Sequence, residues 1–401
     1  MKLKNLLNVP KNVLFLSFVS LLNDVAGETI RRLIPLFLSN VLGVKTTVIG
    51  LIEGIGEATP NFIEPVSGYL SDKFGKRKIF VVFGQILRSV MVLLMFATTW
   101  PQVLLIRFLD RTGKGLAMSP RDSLLAKSTK DGEKGRAFGL NRAMDNTGAT
   151  LGIGLVIILL LSKKQLFLER TFFNALITII AIPALLLAFL IIFFLVKEAK
   201  DGIPEYQFKD HLGKEFYIFL LISFIFSLGS FSDGFLVLKA QNIGISLLGI
   251  FVLLAFFEFF SAIVALPAGS YSDHHERRKI LGFGWLIFSA AYLGFGSAQN
   301  LWQMIPLFMI YGVYYGITQG VAKAIVADFV PHSRQGLAFG LYNMTVGIAL
   351  LPASIIAGFL WQRFNPTVAF YFGATLSLLA AFCLFYILPH PHHHWWEIWK
   401  K

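Results

Sequence analysis

Residues 68–78 read Gly68-Tyr-Leu-Ser-Asp72-Lys-Phe-Gly75-Lys76-Arg77-Lys78, and residues 269–278 read Gly269-Ser-Tyr-Ser-Asp273-His-His-Glu276-Arg277-Arg278. The two stretches lie 201 residues apart. The same ungapped shift places Gly43 on Gly244, Glu57 on Glu258, Arg77-Lys78-Ile79 on Arg278-Lys279-Ile280, and Ala137-Phe138-Gly139-Leu140 on Ala338-Phe339-Gly340-Leu341. Agreement at several separate places under one offset marks an internal duplication, each copy being about half the chain.

The sequence around these copies is apolar. Of 401 residues 55% are hydrophobic and 15% charged, with 40 Phe and a mean hydropathy of +0.66. Soluble domains carry roughly 25% charged residues, so this chain cannot cover a water-facing surface, and its hydrophobicity excludes disorder. Apolar runs of about 20 residues recur, each able to cross a ~30 Å hydrocarbon layer. Lipid forces backbone groups to bond internally, which predicts helices. The alternating segments of a membrane barrel are absent. Twelve spans are expected, at 13–39, 46–70, 78–98, 101–125, 136–161, 168–196, 214–239, 247–271, 279–297, 300–328, 336–361 and 366–388. The expected fold is an all-α polytopic membrane protein of two pseudo-symmetric six-helix bundles. The first occupies 1–196 and the second 214–389, with a polar linker at 197–213 and a tail at 390–401. Counting loops and span ends together, 21 Lys and Arg lie on the side of the N-terminus, against six on the other side. Positive-inside logic puts both termini in the cytoplasm of a plasma (inner) membrane protein.

The first quoted stretch resembles the loop between helices 2 and 3 of the major facilitator superfamily, Gly-x-x-x-Asp-x-x-Gly-Arg-Arg/Lys. The second sits where that family carries a second copy, and span number, loop placement and repeat extend the resemblance over nearly the whole chain. The resemblance implies parallel repeats rocking about a midplane site, with a cytoplasmic gate at Gly68, Asp72, Arg77, Arg121 and Asp273. Gly68 permits close helix approach. Asp72 at a helix end can meet a cation, with Arg121 as the expected partner. Glu276 stands where the second copy should have Gly, so that loop is expected to turn differently. Arg107 matches the family's helix 4 motif, Arg-x-x-Gln-Gly, associated with proton coupling; Asp110 and Arg111 replace its Gln and Gly. Gly148-x-x-x-Gly152-x-Gly154 partly resembles the helix 5 motif of the family's antiporters, with Ile153 in place of its proline. Close packing of small residues explains that pattern equally well.

Leaving aside those at the span ends, charges inside the spans are unevenly shared: sixteen fall in the first half, and only Asp233, Glu258 and Lys323 in the second. Asp24, Glu28 and Arg31 lie on one face of span 1, with Arg32 beside them. Glu53, Glu57 and Glu64 form an acidic stripe on span 2. Arg107, Asp110, Lys114 and Arg121 share one stripe of span 4, and Arg142 and Asp145 lie on span 5. Charged stripes in a membrane should face a cavity or other protein. A hairpin centred near residue 42 would set Arg32 level with Glu53 and Glu28 level with Glu57. Neighbouring carboxylates in low dielectric cannot all ionise cheaply, so Glu28, Glu53 and Glu57 are expected to share a proton near neutral pH. These residues read either as a proton-coupling or substrate cavity or as a static salt-bridge cluster. Glu258, the repeat of Glu57, is the second-half candidate.

Other classes are excluded. The single Cys383 rules out a disulfide scaffold, a thiolate zinc site and an iron–sulfur centre. No phosphate-binding loop occurs; neither an enzyme nor a cofactor is expected, energy must come from an ion or substrate gradient, and a proton gradient is the expected source. A net charge of +13 reflects membrane topology rather than nucleic-acid binding. His390, His392, His393 and His394 could hold a metal weakly, but no His lies in a span and no metal site is expected. The expected function is secondary transport by alternating access, as proton-coupled efflux (antiport) of a small organic compound. Proton-coupled uptake (symport) of an organic anion, meeting Arg31, Arg32 and Arg107, is the alternative, and a polytopic receptor or channel the remaining one. The expected partners are the lipid bilayer and a small-molecule substrate, with the protein a monomer.

Overall fold

A chain without water to satisfy its N–H and C=O groups closes them within each turn, and every described apolar run is helical. The computed structural model describes residues 9–129, 134–161, 168–198, 212–330 and 335–388. Among the described residues the helical segments line up as twelve rods: α1 Lys11–Val41, α2 Thr46–Phe74, α3 Arg77–Phe96, α4 Trp100–Lys127, α5 Lys134–Leu161, α6 Arg170–Leu195, α7 Lys214–Asn242, α8 Leu247–His274, α9 Arg277–Ser297, α10 Leu301–Asp328, α11 Gln335–Arg363 and α12 Pro366–Tyr386. Among the described residues nine of them are long and apolar enough to cross a membrane. The other three, α2, α4 and α10, are 28 or 29 residues long, and α2 and α4 carry the charged stripes. Large apolar side chains such as Phe194 and Trp302 point outward, as lipid permits. The linker at 199–211 and the tail at 390–401, with His390, His392, His393 and His394, lie outside the described residues, as does the side chain of Asp273.

The duplication is visible in the packing. In the first half α1 packs on α5 and α6, and α4 on α2 and α3; in the second, α7 packs on α11 and α12, and α10 on α8 and α9. Adding six to each number converts one set into the other. The halves meet through α2 on α11 and α5 on α8, two contacts that the same operation exchanges. Between them the end of α1 (Ile34–Leu36) touches the second segment of α7 (Gly234–Asn242).

Both α1 and α7 are interrupted. α1 leaves regular helix after Arg31, resumes at Ile34 and ends in a π-helical turn, Phe37–Val41; α7 is broken between Gly229 and Gly234. Beyond them Gly43 and Gly244, repeat equivalents, both adopt left-handed backbone with φ of 62° and 84°. The other equivalent pair diverges. Gly75 turns left-handed at φ 63°, whereas Glu276 stays at φ −65°, ψ 99°. A Cβ disfavours the left-handed turn, so the second loop takes another course.

At the end bearing these basic loops, Gly68 lets α2 press onto Ser119 of α4. Asp72 pairs with Arg77 at 2.7 Å. Arg121, expected to meet Asp72, reaches Asp122 and Ser20 instead. The tight turn at Gly75 brings Arg77 back onto Asp72. Glu198, after α6, accepts from the backbone N–H groups of Arg77 and Lys78 at 3.1 and 2.8 Å. It thereby caps α3, whose own N-cap, Lys76, makes no side-chain cap bond.

At the opposite end α2 and α11 close on glycine. A Cβ at Gly50 would land on the Ser354 carbonyl, and one at Gly54 would lie 2.9 Å from the Leu351 oxygen. Thr47 Oγ1 donates to Gln362 Oε1 at 2.7 Å across the same seam. Overpacking a closed contact costs about 1–3 kcal/mol. Ser354 is fully buried. In a Cys383→Ser background, Ser354→Cys should react slowly with a water-soluble maleimide, and adding Gly50→Leu should accelerate labelling about tenfold. An unchanged rate would show that α2 and α11 do not form the closing contact.

Candidate functional site

Arg31 and Arg32 are adjacent but serve different halves. Successive helical residues point about 100° apart, and the break after Arg31 adds to the divergence. Arg31 stays in the first half, gripping Glu28 through two bonds of 2.5 and 3.0 Å and reaching Glu57 at 3.5 Å. Arg32 turns across. Its Nε lies 3.4 Å from Glu28, while Nη1 meets Asp233 at 3.2 Å and Nη2 meets Glu258 at 3.1 Å.

The levelling expected from a simple hairpin therefore fails for Arg32. Glu53 is paired instead with Arg107 at 3.6 Å and accepts from Ser232 Oγ at 2.8 Å. Glu28 and Glu57 are joined through Arg31 rather than opposed. A straight-helix register ignores both the rotation of each helix and the break at residue 32.

The interruption of α7 presents Asp233. Ser232 N donates to Ser354 Oγ at 3.2 Å, and Gly234 N to Ser232 Oγ at 3.2 Å. A Cβ on Gly234 would lie 2.7 Å from Pro35, so only glycine lets the two broken helices touch here. On α4, Arg107 is 1% exposed and also lies 3.7 Å from Glu57; Gly56 leaves room for its guanidinium. Arg111 approaches Glu57 at 4.0 Å and Asp110 at 3.7 Å. Four arginines (Arg31, Arg32, Arg107, Arg111) and six carboxylates (Glu28, Glu53, Glu57, Asp110, Asp233, Glu258) thus form one network across α1, α2, α4, α7 and α8.

Other expected residues stand apart. Asp24 has Asp145 and Lys114 within coulombic range, and none of the three forms an ion pair among the described residues. Arg142 bonds Gln319 of α10 at 3.0 Å, tying the halves on the exposed side. Arg111, Asp233, Ser232, Phe257 and Tyr311 were not among the expected site residues. Asp233 had a signal, since it follows Arg32 by the repeat length. Phe257 and Tyr311 had none, being two rings among many. No group of three or more His, Cys, Asp or Glu able to hold a metal occurs among the described residues.

A model of the Major Facilitator Superfamily matches residues 16–232 and again 218–398. The chain belongs to the Major Facilitator Superfamily. An uncharacterized MFS-type transporter of Methanocaldococcus jannaschii is 33% identical over 387 residues, covering 94% of this chain and 95% of that one. The multidrug resistance protein MdtG of Serratia proteamaculans is 32% identical over 125 residues, 31% of this chain and 30% of its own. The fold superposes on a D-xylose–proton symporter with a TM-score of 0.76 at 14% identity, covering 95% and 98% of the two chains. The protein is a multi-pass membrane transporter of this superfamily, not an enzyme.

Contacting charges couple by about 0.5–3 kcal/mol. Arg32→Gln and Asp233→Asn should each lower the thermal midpoint in detergent. The double variant should lose clearly less than the sum, because each single change already removes the pair that both residues share. Additive losses would mean that the two residues do not interact.

Proposed function

We propose that this superfamily member works by alternating access as a proton-coupled antiporter, exporting a small organic compound across the plasma (inner) membrane. The basic end and both termini face the cytoplasm, and the moving units are 1–196 and 214–389, joined by the 197–213 linker. The observation that carries this reading is the charge balance of the central network, with two more carboxylates than arginines in a site that both halves complete. Surplus buried carboxylates call for protons or a cationic solute, and a group that exchanges one for the other couples two fluxes. The excess of Lys and Arg on the loops of one side supports the orientation, and the similarity to a multidrug resistance protein supports export.

Uptake of an organic anion with protons is the second reading. One observation favours it: Arg107, 1% exposed, keeps all three guanidinium nitrogens without a hydrogen-bond partner. Proteoliposomes separate the two. Under antiport, an acid interior drives accumulation of a test solute such as ethidium; under symport, an acid exterior drives accumulation of one such as benzoate. Flux indifferent to both gradients would remove proton coupling altogether. Glu57→Gln, which fixes a neutral side chain among Arg31, Arg107 and Arg111, should abolish gradient-driven accumulation while leaving solute exchange without a gradient largely intact. Full accumulation in Glu28→Gln, Glu53→Gln and Glu57→Gln would reduce these acids to structural pairs. Glu258→Gln should instead weaken solute binding.

A further inference from the structure

The Arg32 guanidinium is seated as a ligand would be. Its contacts with Asp233 Oδ2 (3.2 Å) and Glu258 Oε1 (3.1 Å) lie beside the Phe257 ring, whose centroid is 5.5 Å from Cζ. All three residues belong to the second half, whereas Arg32 belongs to the first. Tyr311 donates to the other Asp233 oxygen at 2.7 Å and holds that carboxylate in place. The Phe257 ring packs 5.3 and 5.2 Å from those of Tyr311 and Tyr315. The second half therefore presents, by itself, two carboxylates beside an aromatic face, one of them oriented by a phenol. These are the elements that recognise guanidinium and ammonium groups.

Two further observations separate this arrangement from a plain inter-half ion pair. The carboxylate side chains of Asp233 and Glu258 keep 19% and 25% exposure although Arg32 keeps only 5%. Nearby, Glu53 is 2% exposed and bonded to Ser232, one residue from Asp233; its Oε1 has no hydrogen-bond partner. The region has acceptor capacity that Arg32 does not fill.

The geometry points to a binding site for an organic cation, guanidinium or ammonium, formed by Asp233, Glu258, Phe257 and Tyr311, which Arg32 fills here as a tethered occupant. Its part in transport rests on the alternating-access reading: when the halves separate beside α1 and α7, Arg32 leaves with the first half. A cationic solute or protons then take its place on the two acids. Tyr314, 5.4 Å from Tyr311 and 4.8 Å from Phe288, continues the aromatic wall, which suits a cation with flat or apolar substituents.

Chemical rescue tests the site. The full chain in detergent, unaltered and as Arg32→Ala, is unfolded thermally while methylguanidinium chloride is titrated at constant ionic strength, with methylurea as the neutral isostere. Methylguanidinium should raise the midpoint of Arg32→Ala with a half-effect concentration at least about tenfold below that for the unaltered chain. Methylurea should do nothing, and adding Asp233→Asn and Glu258→Gln to Arg32→Ala should abolish the response. Equal responses to the two solutes, or a response that survives the paired substitution, would overturn the assignment. If Arg32→Ala does not fold, Arg32→Gln, closer in volume, takes its place in the same titration. The readout needs no gradient. A cation-specific shift without proton-driven flux would retain the site and refute the transport reading; flux without the shift would do the reverse.

Discussion

Burying one guanidinium where two membrane bundles meet sets the terms for the centre of this protein. Arg32 is almost wholly removed from solvent and has three carboxylate partners, one on its own helix and two across the boundary. Taking an ion into low dielectric is tolerable only while such partners stay close, and stripping one away costs about 3–5 kcal/mol. The halves therefore cannot drift apart by small degrees. Either the ion group remains assembled, or its members are re-satisfied by water, protons or another cation. That all-or-none character suits the alternating-access mechanism proposed above. The broken ends of α1 and α7 exist to make the contact: a continuous helix would not bring Arg32 and Asp233 to one point, and Pro35 could not approach without Gly234.

Closure at the far end works by other means. Among the described residues the α2–α11 seam holds no ion pair; glycines meet backbone carbonyls, and threonines bond to a carbonyl and a glutamine. Such a contact is short-ranged and sterically sharp. It holds while the helices touch and gives no pull once they have parted. The ion group, by contrast, acts over a distance in low dielectric. The two contacts thus differ in kind, charges joining the halves at the centre and glycines setting the close approach of α2 and α11.

Much of this was legible in one dimension. Membrane residence, the helical rods and the duplication are properties of composition, period and offset, and none depends on how any helix is rotated. The course of the loop at Glu276 was legible too, because a missing glycine has a local consequence. Partner choice was not. Arg121 was assigned to Asp72 by proximity along parallel helices, yet the Gly75 turn gave Asp72 to Arg77. Arg32 was levelled with Glu53 on straight rods, but the break at residue 32 sent it into the other half. Asp233 marks the boundary of what could be read. It lies one repeat length after Arg32, and only the idea that equivalent positions meet near a twofold axis would have paired them.

That equivalence has a consequence for descent. Arg32 and Asp233 occupy the same place in the two copies and carry opposite signs. Two identical first halves, assembled as a homodimer around the same axis, would set arginine against arginine; two second halves would set aspartate against aspartate. Neither half can be its own partner at this point. The two copies are complementary rather than alike here, although Glu57 and Glu258 keep one sign in both, so the Arg32–Asp233 pair forms only where unlike halves meet.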